Sequence, residues 1–394
     1  MKRCIWLLTS ACLFAMPACA DIDFILLNSM FVASMTPALA ATGDHVAMTS
    51  DDFGVRVYHV GLDGAAELEW EIECPPVRQL GICRGYLMIS YDDMQGRLGL
   101  MACDLTNHAV ITDLDMSEEV SLMWMATHDD RLYLGSFMNG LTILTVDADG
   151  GIAMVAQDEN QWFPDATVAC NARYLSVVES FNTRVLLDIT NPQAIQQVTG
   201  FSAFEELTQV GFTEDCLIEA GWDDSPFYNG VRVLQPGEEG FTVLSQRWGG
   251  SIVEGHLRTQ GDLVVVQDRP WPNFTGLLRC YQLSGQGQLS PVAEVGATTI
   301  DDYALTDHWL FVRDWSHHRL YIYLIFTAPH LECQLLPNHD LGLSWNAVPG
   351  ATSYRVYARD EVLGVRRLLE QTEATETVVD PQADGRFFDV TAVR

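Results

Sequence analysis

The sequence predicts an all-β protein in which a seven-bladed β-propeller is followed by a small β-sandwich. Three observations support this: a repeat of about 43 residues, short strand-like runs between Asp, Asn and Gly turns, and a change in the sequence pattern after Pro329. Of the 394 residues, 48% are hydrophobic, which is enough for large buried cores. We expect a signal peptide at 1–20, the propeller at 21–328 and the sandwich at 329–394.

The repeat is clearest in a short apolar strand, whose copies begin at Val55, Leu98, Leu141, Val185, Val231, Leu277 and Leu320. A second apolar strand precedes each copy, beginning at Val46, Leu87, Leu132, Leu175, Leu217, Leu263 and Leu310. Each unit has room for four strands, and four antiparallel strands repeated at this period are typical of propeller blades. Neighbouring blades are needed because each small sheet has two apolar faces to cover.

The seventh unit contains only three clear strands, at 303–305, 309–313 and 320–325, before it reaches Pro329. A fourth strand is therefore expected from elsewhere in the chain. The strand-like segment 24–27 near the N-terminus is the candidate. A last blade completed in this way would tie the two ends of the ring together.

The N-terminus has the pattern of a secretory signal peptide. Met1-Lys2-Arg3 is positively charged, residues 4–16 are apolar, and Ala18-Cys19-Ala20 fits a signal-peptidase site. We prefer cleavage after Ala20, and the alternative is a lipid anchor at Cys19. The apolar stretch is short for a membrane span, and no later segment is apolar enough for one. The protein is therefore expected to be secreted or periplasmic, or else a lipoprotein.

The charge is strongly acidic, with 53 Asp and Glu against 22 Lys and Arg and a formal charge of −31. Phosphate binding needs clustered cations, so this balance argues against nucleic acid and anionic membranes as partners.

Cysteine spacing offers no metal or redox motif. The seven cysteines after the leader are widely spaced and contain no CxxC pair, which excludes a zinc ribbon or a thioredoxin-like site. Most lie in strand-like runs, so we expect small buried hydrophobic side chains. A single bridge between Cys83 and Cys103 stays open.

The C-terminal segment carries a specific pattern. Residues 343–357 read Leu-Ser-Trp-Asn-Ala-Val-Pro-Gly-Ala-Thr-Ser-Tyr-Arg-Val-Tyr, and 387–393 read Phe-Phe-Asp-Val-Thr-Ala-Val. These segments resemble the B, C and F strands of a fibronectin type III domain. In such a sandwich Trp345 fills the core between two sheets, and Tyr354 and Val356 point inward. We expect this sandwich to lack its last edge strand, and to space, pair or adhere.

The repeated third strands carry a second resemblance. Residues 184–192 read Arg-Val-Leu-Leu-Asp-Ile-Thr-Asn-Pro, and segments 140–143 and 230–233 keep the leading half of that pattern. These units resemble the LVIVD-repeat family of bacterial propellers. The resemblance extends over 21–328 and implies an exported bacterial propeller, and it supplies no catalytic residues.

No motif for catalysis, a cofactor or a metal is found: GxSxG, HExxH, Walker, GxGxxG and EF-hand patterns are all missing from the sequence. Binding is therefore sought on one face of the ring, built from the loops between second and third strands and the loops between blades. The longest such loops, 221–230 and 267–276, belong to blades five and six. The candidate ligand-binding residues are Asp165, Glu254, Trp222, Asp223, Asp224, Tyr228, Trp271 and Trp315.

The chemistry of this face has two interpretations. In the first, aromatic side chains stack on a sugar ring or peptide, and carboxylates accept hydrogen bonds or hold a cation such as Ca²⁺. Asp165 and Glu254 would then line the channel from the starts of their innermost strands. In the second, the acids are solvating turn residues and the tryptophans cover blade ends.

Two function classes stay open. The first is a non-catalytic binding or scaffold protein for a protein or glycan at the cell envelope or outside. The second is an enzyme, a hydrolase or lyase acting on polysaccharide or another extracellular polymer, with its site on the same face. We favour the first because the sequence contains no triad, metal set or cofactor motif.

Overall fold

The computed structural model describes residues 22–32, 38–50, 54–61, 63–92, 98–116, 122–136, 140–158, 168–180, 183–202, 206–223, 228–237, 240–248, 252–268, 276–297, 299–314, 316–327, 331–336, 340–345, 351–359, 367–379 and 387–393. Every regular element in these segments is a β-strand. The chain divides into two compact units, one of them Phe24–Ile325 and the other Phe326–Arg394 with Met1–Asp23. The predicted signal peptide, 1–20, lies outside the described segments.

The strands of the larger unit follow one another in this order: β1 (Ile22–Phe31), β2 (Leu39–Thr42), β3 (His45–Thr49), β4 (Val55–Val60), β5 (Ala66–Ile72), β6 (Val77–Cys83), β7 (Tyr86–Asp92), β8 (Leu98–Asp104), β9 (Ala109–Asp115), β10 (Leu122–His128), β11 (Arg131–Ser136), β12 (Gly140–Val146), β13 (Ile152–Asp158), β14 (Ala169–Cys170), β15 (Tyr174–Ser180), β16 (Thr183–Asp188), β17 (Gln196–Ser202), β18 (Glu206–Phe212), β19 (Leu217–Asp223), β20 (Tyr228–Gly237), β21 (Gly240–Trp248), β22 (Ile252–Gln260), β23 (Leu263–Asp268), β24 (Gly276–Leu283), β25 (Leu289–Ala297), β26 (Ile300–Leu305), β27 (Trp309–Asp314) and β28 (Arg319–Thr327).

These strands form four-stranded antiparallel sheets in chain order. Sheets 1 to 6 are β2–β5, β6–β9, β10–β13, β14–β17, β18–β21 and β22–β25. Sheet 7 has the order β1-β28-β27-β26, so the N-terminal strand lies beside β28. The prediction of an all-β chain built from repeated four-stranded sheets is confirmed.

The second and third strands of each sheet are the ones that the sequence repeat predicted. β23 and β27 are buried at every position, and β8 is buried at all but its last. Such strands are mostly apolar because neighbouring sheets cover both of their faces. Fully burying one Leu, Val or Phe side chain contributes roughly 1.5–3 kcal/mol.

Each sheet from 1 to 6 has an irregularity between its third and fourth strands at an equivalent position. Register shifts occur between Val57 and Tyr58 in sheet 1, between Ile143 and Leu144 in sheet 3, and at matching places in the others. An extra residue of this kind increases the local twist of a sheet. Repetition of the irregularity is therefore a structural counterpart of the sequence repeat.

Neighbouring sheets are packed through their first strands. β2 lies against β6, β6 against β10, β10 against β14, β14 against β18, β18 against β22, β22 against β26, and β26 against β2. Sheets 7 and 1 also share an apolar cluster containing Val46, Trp309 and Phe311. Within it the indole Nε1 of Trp309 donates a hydrogen bond to Asp44 Oδ1 (2.8 Å). The unit is propeller-like.

The smaller unit contains β29 (Leu331–Leu335), β30 (Leu341–Trp345), β31 (Ser353–Arg359), β32 (Arg367–Thr372), β33 (Glu376–Val379) and β34 (Phe387–Val393). They form two three-stranded sheets, β29-β30-β33 and β32-β31-β34. Trp345 from the first sheet and Tyr354 from the second are buried in one core, with their rings 5.6 Å apart. Val356 is fully buried beside them, as the alternation predicted.

Within the described residues, no helix has the length and apolarity to cross a membrane.

Candidate functional site

A cavity of about 860 Å³ lies at the centre of the larger unit and is the candidate binding site. All seven four-stranded sheets line it through their first strand or the turn that follows, at 39–41, 80–82, 125–129, 168–172, 210–214, 257–261 and 304–305. The cavity therefore follows the axis around which the sheets are arranged.

The wall combines apolar and polar groups, and polar atoms supply more than half of its accessible surface. Apolar side chains come from Leu39, Leu80, Met125, Val168, Val210 and Leu257, and polar ones from His128, Asp129, Asn171, Glu214, Arg258 and Gln260. Polar groups placed in a partly apolar lining can fix the orientation of a ligand.

Arg258 brings a guanidinium into this wall. Its Nη2 lies 3.6 Å from Asp302 Oδ1, and its Nε donates to the Tyr303 carbonyl (3.4 Å). Asp302 is nearly buried and also accepts hydrogen bonds from the backbone N–H groups of Leu39 and Tyr303. Arg258 is thus anchored on one side, while 41% of its side chain stays exposed.

Buried amide side chains hold the wall together on the side of sheets 5 to 7. The Nε2 of Gln209 donates to the Gln267 carbonyl (2.7 Å), and the Gln267 N–H donates back to Gln209 Oε1 (3.0 Å). Gln267 Nε2 donates in turn to the Ile300 carbonyl (2.7 Å). Because both amides are almost fully buried, these bonds fix the relative positions of three sheets.

The charged groups of the cavity gather where the first strands end. His128 is the last residue of β10, and Asp129 and Glu214 lie in the turns that follow β10 and β18. The loops of the predicted binding face precede the first strands instead. The polar rim of the cavity therefore lies at the other end of these strands.

Four of the eight predicted site residues, Asp165, Asp224, Trp271 and Trp315, lie outside the described segments. The backbone places the other four. Trp222 and Asp223 end β19, Tyr228 begins β20, and Glu254 lies in β22 of the neighbouring sheet. Asp223 pairs directly with Tyr228 across the hairpin, so the fold brings these two positions together.

Part of the predicted face is described in sheet 7, where Asp314, Ser316 and His317 form a cluster. The fully buried Asp314 carboxylate accepts hydrogen bonds from Ser316 Oγ (2.8 Å) and Thr299 Oγ1 (2.9 Å). His317 Nδ1 lies 3.0 Å from Asp314 Oδ2 and 3.1 Å from Ser316 Oγ. Sequence reasoning placed 314–317 on the face, but nothing local indicated that the histidine is held by a buried carboxylate.

Asp301 is a further carboxyl in sheet 7 and was not among the predicted site residues. It lies near the start of β26, and its Oδ2 is 3.5 Å from Arg313 Nε. Burial raises the pKa of Asp301 to about 6, against the opposing effect of the Arg313 charge. The Asp301 carboxyl therefore changes its protonation state close to physiological pH, as carboxyls at functional sites often do.

The seven cysteines from Cys74 to Cys333 are free thiols. The bridge between Cys83 and Cys103 that the sequence left open is not formed. Cys83 ends β6 and Cys103 lies in β8, and β7 runs between those strands. Two strand spacings exceed the reach of a disulfide. Cys170 lines the cavity, where burial raises its pKa to about 12 and keeps the thiol protonated and unreactive.

Among the residues that the structure describes, no group of three or more His, Cys, Asp or Glu side chains is arranged to hold a metal ion.

Comparison with known proteins finds likeness in fold alone. No family model matches the chain, and no curated protein matches it. Among solved structures, a chain of the "Crystal Structure of Mitotic Checkpoint Complex" is similar with a TM-score of 0.55 and 12% identity, covering 78% of this chain and 96% of that one. A chain of "Kuenenia stuttgartiensis Hydrazine Synthase" is similar with a TM-score of 0.52 and 10% identity, covering 72% and 94%.

Proposed function

We propose that this chain is an exported bacterial binding or scaffold protein whose seven-bladed β-propeller takes up a protein or glycan ligand without transforming it. The observation that carries the proposal is the cavity of about 860 Å³, to which every four-stranded sheet contributes. Its wall offers apolar side chains beside polar groups, among them the anchored guanidinium of Arg258, and such a mixture suits recognition of a ligand.

The seven-bladed ring is supported by the cyclic order of the first strands, in which β26 lies against β2. Pairing of β1 with β28 supports closure of the last blade by the N-terminus. Deleting residues 21–32 should then lower the melting temperature sharply, because the last sheet loses its outer strand. An unchanged melting temperature would contradict closure.

The smaller unit is proposed to be a fibronectin type III-like module that serves as a spacer. Two three-stranded sheets around Trp345 and Tyr354 support this, because such a domain packs two antiparallel sheets over one core.

Export is proposed from the leader pattern at 1–20 and the formal charge of −31, which keeps an external protein soluble. Mass spectrometry of the protein purified from a bacterial host distinguishes the two cleavages. A chain beginning at Asp21 supports release, and a lipidated Cys19 supports an anchored form.

The ligand is tested with arrays of glycans and peptides, each probed with and without Ca²⁺. Ala172 lies in an exposed turn that lines the cavity, so Ala172→Trp is expected to narrow its mouth. Ala194 is an exposed turn residue outside the lining, so Ala194→Trp is the matched control.

We expect binding by the wild type and the control, and at least tenfold weaker binding by Ala172→Trp. If the wild type binds nothing on either the glycan or the peptide array, the proposed function is overturned. Release of shorter sugars from a bound glycan would favour the enzyme over the non-catalytic protein.

A further inference from the structure

One edge of sheet 7 joins two segments that are far apart in the chain. The Val32 N–H donates to the His318 carbonyl (2.7 Å), and Arg319 Nη1 donates to Ser29 Oγ (2.7 Å) across 290 residues of sequence. The end of β1 therefore lies beside the turn between β27 and β28.

An aromatic side chain stands open to solvent at this junction. Phe31, the last residue of β1, is 68% exposed, although exposure of so large an apolar side chain is unfavourable. Its ring centroid lies 6.0 Å from that of His318, with the planes tilted by 50°. His318 is also exposed and adopts a left-handed backbone conformation, with φ of 49°, that turns the chain toward β28.

His317 presents a hydrogen-bonding nitrogen at the same turn. Its Nδ1 is engaged by the buried carboxylate of Asp314, and because a carboxylate can only accept, Nδ1 is the donor in this hydrogen bond. In the neutral tautomer that fits this bond, the proton is on Nδ1 and Nε2 is an acceptor. Nε2 has no hydrogen-bond partner among the described residues, and 51% of the side chain is exposed.

We propose that Phe31, His317 and His318 form a contact site for a neutral glycan. The face of Phe31 packs on the C–H groups of a pyranose ring, and Nε2 of His317 accepts a hydrogen bond from a sugar hydroxyl. These three residues lie outside the lining of the central cavity, so the proposal goes beyond that cavity and rests on the proposed function only in taking a glycan as the ligand.

The charge of the protein decides between neutral and acidic sugars. A formal charge of −31 repels uronate or sulfate groups, whereas neutral hydroxyls experience no such repulsion. His317 is not arranged to activate Ser316 as a nucleophile. Ser316 Oγ and the Asp314 carboxylate both contact Nδ1 of His317, and Ser316 Oγ makes no contact with Nε2. The arrangement suits binding of a hydroxyl.

The site is tested by calorimetric titration of the full chain with cello-, xylo-, malto- and chito-hexaose. Phe31→Ala and His317→Ala are compared with Met154→Ala and His59→Ala, which remove an exposed apolar side chain and an exposed histidine elsewhere. We expect at least tenfold weaker binding for the first pair and less than a twofold change for the controls.

Two further measurements sharpen the test. His317→Gln, which keeps an acceptor oxygen, should bind more tightly than His317→Ala, and equal melting temperatures show that folding is unaffected. Glycan binding that Phe31→Ala and His317→Ala leave unchanged, but Ala172→Trp abolishes, would overturn this site and leave the proposed function standing. If the protein binds peptides but none of the hexaoses, this site is overturned and the proposed function stands. If it binds neither peptides nor hexaoses, the site and the proposed function are both overturned.

Discussion

Replacing Asp301 with asparagine is expected to stabilise the protein above pH 6. The side chain is 17% exposed, and burial raises the pKa of its carboxyl from 3.8 to about 6. A carboxyl with a higher pKa in the folded state holds its proton more tightly there than in the unfolded chain. Its contribution to stability is complete below pH 4 and is lost as the pH rises through 6.

The size of this loss follows from the shift. A change from 3.8 to about 6 corresponds to about 3 kcal/mol, at 1.36 kcal/mol per unit. The attraction of Arg313, whose Nε lies 3.5 Å from the carboxylate, is already contained in that pKa. Asparagine is neutral at every pH of the assay, so the Asp301→Asn variant does not lose this stability as the pH rises.

The assay is urea unfolding between pH 3.5 and pH 7.5 of the wild type, Asp301→Asn and Asp149→Asn. Asp149 lies in an exposed turn and serves as the control. The free energy of unfolding of Asp301→Asn should gain about 3 kcal/mol on the wild type across this range, while Asp149→Asn runs parallel to it. Parallel profiles for Asp301→Asn and the wild type would refute the reasoning.

Three more outcomes are expected. Trp309→Phe should lower the free energy of unfolding by about 2 kcal/mol, since it removes the 2.8 Å hydrogen bond to Asp44; an unchanged urea midpoint would contradict this. Gly135→Ala should cost about 2 kcal/mol, because a Cβ there would lie 2.0 Å from Trp124 Cε2; full stability in a melt would show that the ring moves freely. Among the seven cysteines after the leader, Cys333 should be alkylated first by iodoacetamide, because the others are buried or half-buried; peptide mapping by mass spectrometry that finds another label earlier would overturn the assigned exposure.

The sequence predicted the second and third strands of each sheet well, and the first and fourth less sharply. β23 is buried at every position, and its run Leu-Val-Val-Val is visible at once in the sequence. β5 has only one buried residue out of seven, so its Glu and Leu positions show no apolar run. Strands covered on both faces consist mostly of apolar residues, whereas an outer strand does not need to.

The candidate site was less accessible to sequence reasoning. Because the sequence prediction emphasised long loops, six of its eight candidates are at blades five and six, while the described cavity is lined by first strands and their short turns. Arg258 gave no local signal, because its role depends on Asp302 in the next sheet. The same is true of His317, whose carboxylate partner stands three residues away but is buried only by packing of sheet 7.

The sequence by itself determined that the chain is all-β, that strand pairs recur about every 43 residues, and that Trp345 and Tyr354 belong to a core of their own. These features depend on hydrophobic patterns within a few residues, which the local chain carries. Only the tertiary structure decided which strands meet across sheets, where the central cavity opens, and that Phe31 stands beside His318. Those contacts join residues from about 40 to almost 300 positions apart, and no local pattern encodes a distance that exists only once the sheets are packed.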